Sequence, residues 1–258
     1  MKFFFFFING IIHLRDVVFL DINKKVAFVT GSSIGLGKGI VIELAKNGCN
    51  VVIGYNNGKE KAENLKKFIE EKYKVKALSV KCDVTNEESI KNTIGYIVDN
   101  FGMIDIIINN AAYAQDNYID EKTKEEFMKV LEINLVGPFL VSKYAYKYMN
   151  NGIIINISSK DAVSTYNDIS MDYCASKAGL NSLTKTLSLA LKNIKVISVM
   201  PGWIDTESIR EMNPEFLNSE LKRIGQEKLS TVEDVSKQIV NIIKDDKIKS
   251  GKIIELED

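Results

Sequence analysis

Three glycines join a short apolar run to a longer amphipathic one, and this junction constrains the fold more than any other part of the chain. Residues 26–29 read Val-Ala-Phe-Val, which is typical of a buried strand, and apolar residues recur at helical spacing from Ile34 onwards. Gly31, Gly35 and Gly37 let the intervening backbone approach a ligand closely, and the N-terminus of the next helix favours negative charge. The sequence therefore predicts a strand, a glycine turn and a helix that bind a pyrophosphate.

Parts of the same turn are compatible with other functions. Residues 31–35 (Gly-Ser-Ser-Ile-Gly) fit the Gly-x-Ser-x-Gly turn that presents the serine nucleophile of hydrolases. Such an enzyme needs a histidine base, and the single histidine, His13, lies outside the α/β pattern described below, so we do not favour a hydrolase. A triphosphate-binding loop ending at Gly37 and Lys38 would need glycine at position 32, which is serine. The remaining alternative is a glycine-rich helix start without a ligand.

Strand and helix patterns alternate along the rest of the chain. Apolar runs predict strands at residues 26–29, 50–53, 75–80, 104–109, 153–157, 194–199 and 253–256. Helical patterns begin near residues 34, 59, 87, 123, 173 and 232, and the longest runs over 123–149. Continuous apolar strands separated by helices are typical of a parallel sheet covered on both faces. We therefore predict an α/β fold with a single Rossmann-type doubly wound parallel sheet of about seven strands and helices on both faces.

Length and composition favour one domain. A chain of 258 residues with 45% hydrophobic composition can bury one large core, and neither a repeat nor a linker divides residues 21–258. Residues 1–20 differ, because the phenylalanine run at 3–7 begins an apolar stretch that is soon broken by charged residues. This stretch is shorter than the ~20 apolar residues that cross a bilayer, and no small-residue cleavage site of a signal peptide follows it. We expect a disordered or dispensable leader over 1–20.

Charge and cysteine content exclude several classes of partner. Lys and Arg number 34 and Asp and Glu also number 34, so no net field attracts nucleic acid or an anionic membrane. Cys49, Cys82 and Cys174 are odd in number and far apart, and with a single histidine they provide no metal-ligand cluster. We therefore predict no metal site and reduced thiols in a cytoplasmic protein.

Tyr173 and Lys177 stand four residues apart near the start of a predicted helix, so their side chains share one face. An ammonium beside a phenol stabilises phenolate and lowers the tyrosine pKa from ~10 toward neutral pH, where the group exchanges a proton with an alcohol or carbonyl oxygen. The same spacing is also common on solvated helix faces. Ser158 and Ser159 strengthen the catalytic interpretation, because they end the preceding strand where a hydroxyl would bind the same substrate oxygen.

Together these motifs resemble the short-chain dehydrogenase/reductase family over about residues 24–258. Each motif alone is weak, but their combination in this order is specific. They are Thr30-Gly31-x-x-x-Gly35-x-Gly37, Asn109-Asn110-Ala111, Asn134, Ser158-Ser159, Tyr173-x-x-x-Lys177 and Pro201-Gly202. The resemblance implies an NAD(P)-dependent oxidoreductase that transfers a hydride between nicotinamide and a carbonyl or alcohol substrate.

The resemblance implies four catalytic residues: Asn134, Ser159, Tyr173 and Lys177. Tyr173 would be the acid/base and Ser159 would orient and polarise the reacting oxygen. Lys177 would lower the tyrosine pKa and hold the nicotinamide ribose, while Asn134 would position a water in a proton relay. The segment before Tyr173 is one residue longer than usual, so Ser158 is an alternative to Ser159. The alternative for Asn134 is a structural polar residue inside a helix.

The resemblance also implies a set of contacts to the cofactor at the ends of successive strands. The expected residues are Gly31, Ser33, Ile34, Gly35, Leu36, Gly37, Tyr55, Asn56, Asp83, Val84, Asn110, Ala111, Ala112, Tyr173, Lys177, Pro201, Gly202, Ile204 and Thr206. The chain departs from the family at Ala112, where glycine is usual. It also departs at its C-terminal Glu-Leu-Glu-Asp, where the usual Asp-Gly-Gly tail often supports a tetramer.

The turn after the second predicted strand bears on the choice between NADP and NAD. An acidic residue there binds the ribose 2′-hydroxyl and repels a 2′-phosphate, and residues 54–59 (Gly-Tyr-Asn-Asn-Gly-Lys) contain none. The resemblance places Tyr55 where the NAD-selecting aspartate would stand and Asn56 where many NADP enzymes have arginine. Lys59 is either a phosphate ligand or a solvated lysine at a helix start. We favour NADP and leave NAD open.

The sequence is most similar to 3-oxoacyl-[acyl-carrier-protein] reductases of fatty acid biosynthesis, and next to sugar or polyol dehydrogenases resembling glucose dehydrogenase. Residues 206–229 should cap the substrate, but their mixed apolar and basic composition does not decide between the two. A different class is a non-catalytic nucleotide-binding scaffold, against which the four filled catalytic positions argue. We expect a homo-oligomer, dimer or tetramer, whose partner is a small carbonyl or alcohol, carried in the first case on acyl carrier protein.

Overall fold

A short antiparallel pair precedes the main sheet. The computed structural model describes residues 7–8, 11–12 and 21–257. Within the first segment, β1 (Phe7–Ile8) pairs with β2 (Ile11–Ile12). The other residues of the expected leader lie outside the described residues, so the leader and its boundary at residue 21 stay predictions.

The main sheet has seven strands, all parallel, which confirms the predicted α/β architecture. In chain order they are β3 (Val26–Val29), β4 (Asn50–Tyr55), β5 (Ala77–Lys81), β6 (Ile106–Asn109), β7 (Ile153–Ile157), β8 (Lys195–Met200) and β9 (Ile253–Glu255). Their order in space is β5-β4-β3-β6-β7-β8-β9. The order reverses between β3 and β6, and ligands of doubly wound sheets bind at the carboxyl ends of the strands beside such a reversal.

Helices cover both faces of this sheet. They are α1 (Gly35–Lys46), α2 (Lys59–Tyr73), α3 (Glu87–Phe101), α4 (Lys124–Leu131), α5 (Gly137–Ala145), α6 (Met171–Ala190), α7 (Glu207–Arg210), α8 (Pro214–Ile224) and α9 (Val232–Lys244). One core packs α1, α2 and α9 against the sheet, and a second packs α3 and α5 against the opposite face. Of β3, Ala27 and Val29 enter the first core while Val26 and Phe28 enter the second, as the alternation of a strand requires.

The helix predicted over residues 123–149 is not continuous. It consists of α4, a π-helical segment (Glu132–Val136), α5 and a 3₁₀ turn (Tyr146–Tyr148). In the π-helical segment the Gly137 N–H donates to the Glu132 carbonyl, five residues back, and Pro138 has no N–H to give. The Ile133 carbonyl therefore loses its usual α-helical donor, the Gly137 N–H, to Glu132. The Asn134 carbonyl has no such donor, because that position is Pro138.

Two helices appear in the segment expected to cap the substrate, where the sequence analysis assigned none. Helix α7 has a single turn, and α8 begins at Pro214 after Asn213, whose side chain accepts hydrogen bonds from the N–H groups of Glu215 and Phe216. The other boundaries differ from the sequence-based ones by only a few residues; β5, for example, begins at Ala77 rather than at 75. Within the described residues, no helix combines the length and apolar character needed to cross a membrane.

Candidate active site

A cavity of about 950 Å³ opens at the carboxyl ends of the strands. It runs from the glycine turn to α8, and most of the residues expected to bind cofactor line it. Those that do are Gly31, Ser33, Ile34, Gly35, Leu36, Tyr55, Asn56, Asp83, Val84, Asn110, Ala111, Ala112, Tyr173, Lys177, Pro201, Gly202, Ile204 and Thr206. Ser159 lines it as well, whereas Gly37 and Asn134 are not among the lining residues.

Backbone geometry explains the glycines of the turn. Gly31 and Gly35 have φ angles of +60° and +55°, which side chains of L-residues rarely adopt. A Cβ atom on Gly31 would also lie 2.9 Å from the Ala111 Cα atom. The turn therefore presents bare backbone to the cavity, directly before the N-terminus of α1. This cradle fits the pyrophosphate of a nicotinamide dinucleotide.

Gly37 has a packing role in this geometry. A Cβ atom there would lie 2.6 Å from the Asn110 amide nitrogen and 2.7 Å from the Gly31 carbonyl oxygen. Its missing side chain thus lets α1 lie close to the turn, which gives Gly37 a packing function, and its expected contact with the cofactor stays a prediction. The sequence could not distinguish these functions, because both require glycine.

Thr30 and Asn110 connect the glycine turn to the end of β6. The Thr30 hydroxyl accepts hydrogen bonds from the backbone N–H groups of Asn110 at 3.1 Å and Ala111 at 3.0 Å. The Asn110 amide donates to the carbonyls of Thr30 at 2.9 Å and Gly31 at 3.0 Å. The two motifs recognised in sequence therefore form one reciprocal network, which fixes the cavity floor.

The end of the cavity beyond β4 and β5 carries the groups expected to meet adenosine. Tyr55 is buried and ends β4, and Asn56 is exposed beside it. The Asp83 carboxylate accepts from the Thr85 N–H at 3.0 Å and the Thr85 hydroxyl at 2.7 Å, so its orientation is fixed. Among the lining residues directly after β4 there is no acid.

Ser158 and Ser159 both line the cavity, and Ser159 acts on the neighbouring Tyr173 phenol, whose pKa it lowers. Ser158 is buried and its hydroxyl donates instead to the Lys177 carbonyl at 3.2 Å. This geometry follows from the strand end, because successive residues point to opposite sides.

Lys177 is buried one helical turn after Tyr173 in α6. Its Nζ atom donates to the Ile157 carbonyl at 2.7 Å and lies 5.4 Å from the centroid of the Tyr173 ring. Burial lowers the pKa of Lys177 to about 7. The lysine therefore exchanges its proton near neutral pH.

The pKa of Tyr173 differs from the sequence-based expectation. Burial raises it well above its usual value, the Asp161 carboxylate raises it further, and the hydrogen bond with Ser159 opposes the rise. The expected lowering by Lys177 is not seen in this geometry, since Lys177 is itself desolvated and bonds to Ile157. Burial could not be weighed against the neighbouring charge from the residue pattern alone.

Asn134 is fully buried in the π-helical segment, and its side chain is occupied. Its amide oxygen accepts from the Tyr113 N–H at 2.8 Å, and its amide nitrogen donates to the Tyr113 carbonyl at 2.8 Å and the Ser176 hydroxyl at 3.1 Å. The side chain thus holds the strand-end segment against α6. Its backbone carbonyl lacks the donor that residue 138 supplies in a regular α-helix, because Pro138 has no N–H.

Comparison with known proteins identifies the family. A family model described as short chain dehydrogenase matches residues 25–216. The chain belongs to the short-chain dehydrogenase/reductase family. It is accordingly an NAD(P)-dependent oxidoreductase that acts on CH–OH or carbonyl groups.

Individual relatives of this short-chain dehydrogenase/reductase include two enzymes with named substrates. A 3-oxoacyl-[acyl-carrier-protein] reductase of Buchnera aphidicola is 32% identical over 229 residues, which are 87% of this chain and 91% of the relative. Glucose 1-dehydrogenase 2 of Bacillus subtilis is 33% identical over 227 residues, 85% of this chain and 87% of the relative. A short-chain dehydrogenase of Burkholderia cenocepacia, solved in complex with NADP, has a TM-score of 0.85 at 26% identity and covers 92% of this chain and 98% of its own.

Three residues at the substrate end of this short-chain dehydrogenase/reductase were not expected from the sequence: Asp116, Asp161 and Trp203 line the cavity. Met212 and Phe216 line it as well, and they lie in the segment that was expected to cap the substrate. The position of Asp161 could have been predicted, because an acid two residues after Ser159 lies near the same end of the strand as the catalytic serine. Asp116 carried no such signal, since it belongs to none of the recognised motifs.

Proposed function

We propose that Tyr173 exchanges the proton in a hydride transfer between a nicotinamide dinucleotide and a carbonyl or alcohol bound at the substrate end of the cavity. The observation that carries this proposal is that Tyr173, Ser159 and Lys177 line one cavity together with the glycine turn. A bound nicotinamide supplies or accepts the hydride. All other steps belong to residues of the chain.

In carbonyl reduction, the Tyr173 Oη atom donates its proton to the oxygen of the substrate. Ser159 holds that oxygen with a second hydrogen bond, which fixes it beside the phenol. The raised pKa of Tyr173 keeps the phenol protonated, and so ready to donate, across the neutral range. In alcohol oxidation the same groups act in reverse and need a base near Tyr173. Lys177, with its pKa of about 7, lies in position to relay that proton.

We extend the proposal to the proton path beyond Lys177. The Asn134 side chain is committed to Tyr113 and Ser176, so we assign the water-positioning role to the Asn134 backbone carbonyl. Pro138 makes that carbonyl available, because proline cannot donate the α-helical hydrogen bond. Two groups of Asn134 then have different functions. Its side-chain amide holds the Tyr113 backbone in the cavity wall, and its backbone carbonyl accepts a hydrogen bond from a water.

We propose NADP(H) as the preferred cofactor. The turn after β4 carries Asn56 and Asn57 in the cavity lining and no acid that would repel a 2′-phosphate. Ser33 lines the same end of the cavity and adds a hydroxyl donor. The NADP bound to the Burkholderia cenocepacia relative supports this choice by analogy only.

For the substrate, we propose a 3-oxoacyl group carried on acyl carrier protein, as in fatty acid biosynthesis. The reductase of Buchnera aphidicola and the sequence resemblance support it. A second candidate is a sugar or polyol, supported by glucose 1-dehydrogenase 2 of Bacillus subtilis and by the carboxylates of Asp116 and Asp161, which accept hydrogen bonds from hydroxyl groups. We also propose a homo-oligomer in the cytoplasm, consistent with three free thiols.

The experiment is NADPH and NADH oxidation with a panel containing a 3-oxoacyl thioester, simple ketones and aldoses. We expect oxidation of the cofactor with at least one carbonyl class, and the reverse reaction with its alcohol. Cofactor binding without turnover of any panel member would instead favour a non-catalytic nucleotide-binding scaffold. Turnover of aldoses but not of the thioester would favour the sugar dehydrogenase.

A further inference from the structure

The substrate end of the cavity holds a carboxylate close to the reacting groups. Asp161 follows β7 in the 3₁₀ turn Lys160–Ala162 and lines the cavity. Its Oδ2 atom lies 3.3 Å from the Ser159 hydroxyl, and its backbone N–H donates to the same hydroxyl at 3.1 Å. Its Oδ1 atom accepts from the Thr165 hydroxyl at 2.8 Å. The carboxylate is therefore fixed next to the serine that is expected to hold the substrate oxygen.

The charge of Asp161 reaches the catalytic phenol. It is the largest charge effect on Tyr173, whose pKa it raises in addition to the effect of burial. A negative charge that disfavours phenolate also disfavours another anion at a similar distance in the same cavity, because charge, separation and local dielectric constant are then alike. An anionic substituent next to the reacting carbon would occupy such a position.

All N–H groups of the arginine nearest to Asp161 are engaged, so none is left to bind an anionic group of a substrate. One Arg223 terminal nitrogen lies 3.5 Å from Asp161, and the same nitrogen and Nε donate to Glu220. The other terminal nitrogen donates to the carbonyls of Thr165 and Tyr166. A guanidinium has five N–H donors, and these contacts account for all of them. The cluster of one arginine and two carboxylates keeps a net negative charge.

The other lysines of the cavity lining already have partners. Lys177 is committed to the Ile157 carbonyl, and Lys160 lies 3.4 Å from Glu255. Lys129 lies over the Tyr113 ring at 4.2 Å and is exposed at the cavity margin. Asp116 and Glu132 add two further acids to the lining, and Asp83 adds one at the adenosine end.

We infer that Asp161 is a specificity-determining residue: its carboxylate excludes carbonyl substrates with an anionic group next to the reacting carbon and admits their neutral or cationic counterparts. Specificity of this kind depends on an unfavourable interaction with the wrong substrate. The inference rests on the proposed function of the same site. It applies equally to a thioester and to a sugar, because both are uncharged beside the carbonyl.

A matched pair of substrates tests this inference. Methyl benzoylformate and benzoylformate share one ketone, and only the second carries a carboxylate next to it. Wild-type protein should favour the ester by at least about tenfold in kcat/KM, since two like charges a few ångströms apart in a cavity repel strongly. Asp161→Asn keeps the size and most hydrogen bonds but removes the charge, so it should reduce the ester-to-acid ratio by about tenfold or more.

A control and a second measurement separate this inference from the proposed function. Asp168→Asn removes an exposed acid from the same segment and should leave the ratio unchanged. Trp203, the single tryptophan, lines the cavity, so its fluorescence reports binding of both probes without turnover. If the ester-to-acid ratio of Asp161→Asn equals that of wild type in both turnover and binding, the inference is overturned and the proposed function is unaffected. A shifted binding ratio without turnover of either probe by any form would support the inference and count against the proposed function.

Discussion

The Lys177 side-chain nitrogen lies 5.4 Å from the centroid of the Tyr173 ring, one helical turn away and on the same face of α6. Lys177 is buried and Tyr173 is half-buried, and loss of solvent opposes the charged form of each. The pair is therefore set to hold a neutral phenol beside a lysine that titrates near neutrality. This arrangement gives predictions about stability as well as about chemistry.

Replacement of Lys177 should change how stability depends on pH. The pKa of Lys177 is about 7 in the folded protein, against ~10.4 in an unfolded chain. Between these values the unfolded chain binds the proton and the folded one does not, so stability rises with pH by up to about 1.4 kcal/mol per unit. Lys177→Met should remove this slope, and its stability relative to wild type should fall from pH 7.5 to 9.5.

Urea unfolding at several pH values measures the effect. Lys185→Met, which removes an exposed lysine of the same helix, serves as the control and should parallel wild type. A Lys177→Met curve that also parallels wild type would show that the lysine is not desolvated as described.

The two serines at the end of β7 should behave differently. Ser159→Ala removes the hydroxyl that is expected to hold the substrate oxygen beside Tyr173 and should lower kcat by about 10²-fold. Ser158→Ala removes a hydrogen bond to the Lys177 carbonyl and should cost about 1 kcal/mol of stability, with a smaller effect on kcat. Steady-state kinetics with thermal unfolding of both variants tests this, and a larger loss of kcat in Ser158→Ala would reverse the assignment.

Two glycines should respond in opposite directions to alanine. A Cβ atom on Gly37 would clash with Asn110 and with the Gly31 carbonyl, so Gly37→Ala should destabilise the protein by about 1–3 kcal/mol and weaken cofactor binding. Gly95, inside α3, has no neighbour within 4 Å of such an atom, and Gly95→Ala should stabilise by about 0.5–1 kcal/mol. Denaturant titrations compare the two, and equal effects would contradict the packing described for the turn.

Cofactor preference should depend on the turn after β4. NADPH should bind at least as tightly as NADH, and Asn56→Asp should shift the preference toward NADH, because the new carboxylate repels the 2′-phosphate. Lys59→Ala should weaken NADPH selectively if that lysine contacts the phosphate. Titration of cofactor fluorescence gives both affinities, and tighter binding of NADH by wild type would contradict the assignment.

Local patterns were sufficient to predict the sheet and most of the cavity. The apolar runs identify the strands, and the parallel arrangement brings the segments after Val29, Asn109 and Ile157 to one edge. Thr30, Asn110, Ser159, Tyr173 and Lys177 could be placed together for that reason. The resemblance added roles that spacing alone does not provide.

Features that depend on tertiary packing could not be predicted in the same way. The π-helical segment at Asn134 combines Pro138 with a diverted hydrogen bond from Gly137, and the helical periodicity continues across it. The contact between Asp161 and Arg223 joins residues far apart in sequence, in a segment whose composition did not predict α8. The pKa values of Tyr173 and Lys177 depend on burial, which no motif encodes.

The central claim is that Tyr173 transfers the proton, and Tyr173→Phe tests it most directly. The variant loses one hydroxyl and keeps the ring, so NADPH should bind with nearly wild-type affinity while kcat falls by at least ~10²-fold on a carbonyl that wild type reduces. Single-turnover oxidation of bound NADPH separates this chemical step from product release. Near-normal turnover by Tyr173→Phe on the same carbonyl would contradict the account.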